Sequence, residues 1–333
     1  MSYLFVLAWW WWLLVIFVVT SLPRTASSAR WRLSAIHNFA FLAQSAIVKC
    51  WWWISSTSKK WQSSSSFERM KSASQVGQEI YILDHVIPLL VVASSSSSST
   101  MIVLEIGAFD GLHLSNTLVF ERRLCSFKVV HIEGNPIAFE KLQKNRPRCH
   151  NVCALCSNNR TPHHCYRVFT VAGSCSGIES TLTGYSREKK KLKKFADAKD
   201  LLLPLRRTQD VIDAVVLEHD NKRKIDVAFL DVEGHELEVL NGLDWTSSYL
   251  LPSCWCVEFC EASDPDRLRQ VDDILVNRGG YLCVHEFSFG DTTEHRGSKS
   301  CDRLYLHHSL LWAGAILSQI ERARILCGEL LIF

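Results

Sequence analysis

Residues 101–111 read MIVLEIGAFDG, an apolar run closed by an acid and a glycine-containing turn. A short continuous apolar run bounded by a turn reads as a strand buried on both faces. Working outward, residues 113–124 show a helix-like pattern and KVVHIEG (128–134) is a second strand. Residues 136–145 form a second helix opened by Pro136, whose missing N–H leaves no helical bond unmade. CHNVCALC (149–156) reads as a third strand, and an insertion occupies 157–206. Then come a helix at 210–218, the strand KIDVAFLDVEG (224–234), a helix at 236–243 and the strand WCVEFC (255–260). A helix at 264–278 with an Asp cap follows, and YLCVHEF (281–287) and RLYLHH (303–308) close the pattern. Strands alternating with helices predict an α/β fold with a largely parallel central sheet and helices on both faces. Ligands of such sheets sit beyond the carboxyl ends of the strands, near the switch in strand order.

The candidate residues gather at those ends. Glu105 to Gly111 follow the first strand, and Gly107 turns sharply and lets a ligand approach the backbone. The segment is not the dinucleotide fingerprint G-x-G-x-x-G. An acid at the strand end suits a ligand carrying positive charge. Glu133, in HIEGNP (131–136), ends the second strand, where a carboxylate accepts the two hydroxyls of a ribose. Asp231, Glu233, His235 and Glu236 crowd the junction DVEGHELEVL (231–240). Helix capping explains Glu233 and Glu236, because the helix dipole favours acids there, but leaves Asp231 and His235 to be accounted for.

Together these segments resemble the FkbM family of methyltransferases. EIGAFDG (105–111), HLSNTLVFE (113–121), HIEGNP, GIESTL (177–182) and DVEGHELEVLNGLDW (231–245) carry the resemblance, which runs from about 75 to 290 and begins at the helix opening SQVGQE (74–79). It implies a Rossmann-like class I methyltransferase fold over 75–308 and S-adenosylmethionine as cofactor. The implied cofactor contacts are Glu105, Gly107, Ala108, Phe109, Asp110, Gly111, Glu133, Gly134, Asn135 and Asp231. It also implies O-methylation of a sugar or another small hydroxylated acceptor. A hydroxyl nucleophile gains from a base within reach, for which Asp231 and His235 are the first candidates and Glu258 the next. No metal is expected, since acids at helix starts are usually caps. Three rivals remain: a membrane scaffold of the same fold without turnover, since relatives of the family in animals act in trafficking; a nicotinamide-dependent oxidoreductase; and a nucleic-acid methyltransferase. The missing fingerprint disfavours the second.

Composition frames this reading. The chain has 333 residues, 47% hydrophobic and 21% charged, with a formal charge of +3. A nucleic-acid partner usually demands a strongly basic domain, so none is expected. Thirteen Cys at irregular spacing define no disulfide framework. Cys153-x-x-Cys156 with His163, His164 and Cys165 has the residue types of a zinc site, but the two cysteines sit in an apolar strand pattern and read better as buried thiols.

The first hundred residues differ. Residues 4–22 are apolar and uncharged, including Trp9 to Trp12, and are long enough to cross a bilayer once. The start MSY lacks the basic residues of a secretory signal, which favours an uncleaved single-pass anchor, in the endomembrane system or elsewhere. Arg24, Arg30 and Arg32 favour a cytoplasmic exit. A weaker apolar stretch, 33–54, either inserts as well and reverses that topology or lies at the interface. Residues 55–74 read as a Ser-rich linker, and the serine run 94–99 as disordered. The basic run 187–199 reads as a solvated face or lid. The tail 309–333 is apolar but carries four charges, so it reads as a packed or surface helix.

Overall fold

A computed structural model describes residues 72–93, 100–122, 127–158, 166–171, 176–181, 199–217, 224–246, 251–260, 265–288 and 300–310. The chain divides into Met1–Ser64 and Ser65–Phe333, and every described residue belongs to the second unit. Both N-terminal apolar segments, the serine run, most of the basic run, the Asp264 cap and nearly all of the C-terminal tail lie outside the described residues. Among the described residues no helix is long and apolar enough to cross a membrane.

The main sheet contains β1 (Met101–Ile106), β2 (Phe127–Glu133), β3 (His150–Cys153), β8 (Val227–Leu230), β9 (Cys254–Cys260), β10 (Tyr281–Ser288) and β11 (Ser300–His307). Their order across the sheet is β10-β11-β9-β8-β1-β2-β3. The β1–β2, β2–β3, β1–β8 and β8–β9 pairs are parallel, and β11 alone runs against its neighbours. This is the largely parallel Rossmann-like sheet expected from the sequence. Strand order reverses at β1, which has β2 on one side and β8 on the other. The inner strands are buried along nearly their whole length, as continuous apolar runs require. Trp255, Phe259, Tyr281 and Tyr305 fill the core on the β9 side, all fully buried.

Two sequence expectations need correction. CHNVCALC is not one strand. It leaves the main sheet after Cys153, and Leu155–Ser157 (β4) pairs instead with Lys199–Arg207 (β7). Ala154, whose N–H donates to Glu133 O (3.1 Å), marks the crossing. A second sheet, β4-β7-β5-β6, is completed by Tyr166–Val171 (β5) and Gly177–Ile178 (β6), so part of the insertion is built structure. Apolar periodicity cannot show a change of sheet, because both halves of the run are strand. The two cysteines differ accordingly: Cys156 is buried, whereas Cys153 is exposed.

The helix expected from residue 113 begins only at Leu118, as Leu118–Arg122. Leu114 has a left-handed φ of 54°, and residues 115–117 turn back to bond the Glu105 carboxyl group. Ser and Asn compete with helix by such local bonds. The helix Pro136–Asn145 starts as read, with Asn135 Oδ1 accepting the Ile137 N–H (3.0 Å) and Pro136 at the first position.

Candidate functional site

The backbone fixes the site first. Gly107 N–H donates to Ile132 O (2.9 Å) and Asp231 N–H to Ile106 O (3.1 Å), so the ends of β2, β1 and β8 are tied side by side. Gly107 has φ 93°, and a Cβ there would lie 1.7 Å from Asp231 O. The sequence predicts the approach of a ligand at this glycine; the group that occupies the space is the Asp231 backbone carbonyl. Gly111 likewise makes room for Leu142 and for Arg146, and Gly134 for Leu155.

Glu133 is buried, and its carboxylate faces the Gly-rich turn. Oε2 accepts the Phe109 N–H (2.7 Å) and Oε1 the Asn135 N–H (2.6 Å). Burial pushes its pKa up to about 7, against these two bonds and with a further push from Asp231 and Glu105. Asp110 does not project freely. Its Oδ1 accepts the N–H groups of Leu112 (2.9 Å) and His113 (2.8 Å), closing the turn. Phe109 adopts φ 47° and Glu233 φ 55°, conformations that cost a non-glycine residue energy and gather at such strand ends.

Glu105 is deeply buried and satisfied from within. Oε1 accepts the Asn116 N–H (2.8 Å), and Oε2 lies 2.5 Å from Thr117 Oγ1 and 3.4 Å from Ser115 Oγ. Asn151 Nδ2 donates to Arg146 O (2.9 Å), and Asn151 Oδ1 lies 2.8 Å from His131 Nδ1. The Thr117 hydroxyl donates to Glu105 Oε2 and lies 2.9 Å from His131 Nε2. Burial raises the Glu105 pKa, against the Thr117 and Asn116 bonds and the Arg146 charge, and burial with help from the Arg146 charge holds His131 down at about 3.

Arg146, fully buried, clamps this turn from the end of the helix Pro136–Asn145. It donates from Nη1 to Gly111 O (2.8 Å) and Ser115 Oγ (3.3 Å), from Nη2 to Thr117 O (3.4 Å), and from Nε to Glu121. Sequence reading missed Arg146, Asn151 and the Ser115–Thr117 triplet. The signal available was an Arg and an Asn too near an apolar strand to be surface residues, which spacing alone does not single out.

Across β1, Asp231 is the electrostatic hub. Its charge is felt at Glu105, Glu133, Glu236, Glu258 and Asp302. Burial raises Asp231, while a hydrogen bond from Glu258 opposes the rise. Glu258 is pushed well above the carboxylate range by burial and by the Asp231 charge. Asp302, opposite Glu258 in the β9–β11 ladder, is raised by burial to about 8 and accepts from Gln78 Nε2 (2.5 Å). Glu236, expected to cap its helix, instead ties the turn that precedes it by accepting the N–H groups of Val232 (3.0 Å) and Gly234 (3.1 Å). Of the expected bases, Asp231 and Glu258 come together, both partly accessible. His235 is placed otherwise. It is buried, with Nε2 3.2 Å from Ser157 Oγ and Nδ1 3.0 Å from Thr181 Oγ1. It thereby joins the end of β4 and the GIESTL segment to the Asp231 turn. Of the zinc-like pattern, His163, His164 and Cys165 lie outside the described residues.

Comparison with known proteins adds the following. Solved structures with similar coordinates include the methyltransferase FkbM from Methylobacillus flagellatus KT, at 17% identity, 64% coverage of this chain and 45% of that one, and a TM-score of 0.36. The N-terminal domain of human METTL16 in complex with SAH is 12% identical, covering 70% of this chain and 71% of that one with a TM-score of 0.37. A TehB-like SAM-dependent methyltransferase from Corynebacterium glutamicum is 8% identical, covering 69% and 95% with a TM-score of 0.32. No curated protein matches the chain. The Methyltransferase FkbM domain matches residues 105–283, more than half of the sequence and the span that holds the carboxyl end of β1, all of β2, β8 and β9, and the Asp231 turn. The chain belongs to the FkbM methyltransferase family.

Proposed function

We propose that the protein is an S-adenosylmethionine-dependent O-methyltransferase acting on a hydroxyl of a sugar or another small molecule, held at a membrane by residues 4–22. One observation carries the reading: carboxyl groups of β1, β2 and β9 converge on Asp231, at the end of β8, with their pKa values raised by burial and by the Asp231 charge. Such a group is short of positive charge, and a sulfonium cation relieves it. The residues present fit this cofactor. Glu133 has lone pairs left beyond its two backbone bonds for ribose hydroxyls, and Asn116 Oδ1 is a buried acceptor without a partner.

When bound, the cofactor supplies an electrophilic methyl group for in-line displacement by the acceptor oxygen. The chain contributes position and a base. Phe109, Asp110 and Asn135 shape the nucleoside side around Glu133. Asp231 takes the acceptor's hydroxyl proton on its carboxylate as the oxygen–methyl bond forms, and Glu258 steadies that carboxylate by its hydrogen bond. A raised pKa suits a base working near neutrality. His235, held between Ser157 and Thr181, serves as a positioning residue. Calorimetric titration of S-adenosylmethionine into the wild type and Glu133→Gln tests the reading. Saturable binding that the variant weakens tenfold or more is expected, whereas a folded wild type that binds nothing would overturn the enzyme and leave a scaffold of the same fold.

A further inference from the structure

Among the described residues, two buried side-chain polar atoms have no hydrogen-bond partner: Trp255 Nε1 and Asn116 Oδ1. Trp255 lies at the amino end of its strand, paired with Ala228 and packed in the main core. Asn116 lies in the turn that follows the Gly-rich loop, beyond the carboxyl end of β1, and is 7% exposed. A buried carbonyl left unsatisfied is costly, and natural structures keep few of them without a purpose.

The surroundings hold this carbonyl in place. The Asn116 N–H is bonded to Glu105 Oε1 (2.8 Å). Its neighbours Ser115 and Thr117 bond Oε2 of the same group, and Arg146 grips Ser115 Oγ and Thr117 O. Glu105, the acid expected to meet a cationic ligand, has both oxygens committed, to the Asn116 N–H and to the Ser115 and Thr117 hydroxyls. The acceptor still on offer at this strand end is the amide of the residue that Glu105 anchors.

We infer that Asn116 Oδ1 receives the α-ammonium group of the cofactor's amino-acid half, with Glu105 acting behind it as a positioning residue. The inference rests on the S-adenosylmethionine reading above. Two facts select an ammonium. The orphan atom is an acceptor and so calls for a donor. The ribose-accepting carboxylate, Glu133, stands on the next strand, which leaves the β1 turn for the opposite end of the ligand.

The test compares S-adenosylhomocysteine with its deaminated analogue on full-length wild type and Asn116→Ala. The variant is expected to bind S-adenosylhomocysteine at least tenfold more weakly while binding the deaminated analogue as the wild type does, because it lacks only the contact that the analogue already lacks. Its Tm is expected to be unchanged or raised, since removing an unpaired buried carbonyl takes away no bond. Equal loss of both ligands would mean that Asn116 only shapes the turn, and no loss of either would mean that the ammonium lies elsewhere; both overturn the inference. A wild type that binds neither ligand overturns the cofactor reading and the inference with it. Should Asn116→Ala not fold, Asn116→Ser reads the same comparison.

Discussion

Replacing Gly107 by Ala tests the geometry on which the site depends. The added Cβ would lie 1.7 Å from Asp231 O and 2.8 Å from Asp231 C, both backbone atoms. Carbon–oxygen contacts do not normally close below about 3.3 Å, so the ends of β1 and β8 would have to part by roughly 1.6 Å. That separation breaks the last rung between them, Asp231 N–H to Ile106 O, and strains Gly107 N–H to Ile132 O on the other side. Each buried group left unpaired costs about 1–3 kcal/mol. The left-handed backbone, φ 93°, adds about 1–2 kcal/mol for a residue with a Cβ. The expected loss is therefore about 4 kcal/mol or more, a large share of the ~5–15 kcal/mol that holds a domain folded. Gly77→Ala is the matched control. Its φ is 80°, but the nearest atom to an added Cβ is Ser72 Oγ at 3.9 Å, so it should lose only the conformational part, about 1–2 kcal/mol. Urea unfolding of both variants measures the difference, and cofactor titration at low temperature reads the site, where a shift of this size should weaken binding by about a hundredfold. If Gly107→Ala unfolds within about 1 kcal/mol of Gly77→Ala, the strand ends do not meet as described and the argument for a preformed site fails.

Arg146→Lys keeps the charge but not the planar fork that reaches Gly111, Ser115, Thr117 and Glu121 together; thermal unfolding should show a loss of about 2–4 kcal/mol, and a loss below ~0.5 would mean that the clamp holds nothing. Glu133, raised from 4.5 to about 7, stabilises the fold fully below pH 4.5 and loses that contribution as pH rises through 7. Between pH 4.5 and 8 the stability of the wild type should fall relative to Glu133→Gln by up to about 3 kcal/mol, measured as the gap between urea midpoints, and a constant gap would remove the buried carboxylate from the account.

The fold was legible because its signals are local and repeat. Runs such as MIVLEI and VAFL announce buried strands by composition alone, and the acids at their ends announce which end matters. What periodicity could not show was partnership. The run CHNVCALC has one character throughout, yet its halves pair with β2 and β7 in different sheets, because pairing depends on residues 50 positions away, in β7, that the local pattern does not see. The helix expected from 113 failed for a related reason. Nothing in HLSNT shows that its polar groups would be drawn to Glu105 instead of to the helix backbone.

The same distinction divides the site residues. Sequence shows which side chains can bond, and burial decides which of their bonds are already used. Glu105, Asp110, Glu236 and His235 all stand where the pattern placed them, at strand ends and helix starts, but each is occupied: by the Asn116 and Thr117 turn, by the Leu112 and His113 N–H groups, by the Val232 and Gly234 N–H groups, and by the Ser157 and Thr181 hydroxyls. Their charges and rings organise the loops. The groups left with capacity to spare at this strand edge are Glu133 with its remaining lone pairs, the Asp231–Glu258 pair, and an asparagine that no motif of charges would have singled out, and on these the proposed function rests. A buried carboxyl group that accepts from three neighbours builds a site without being its contact surface, and the residues it orders are where a ligand is to be sought.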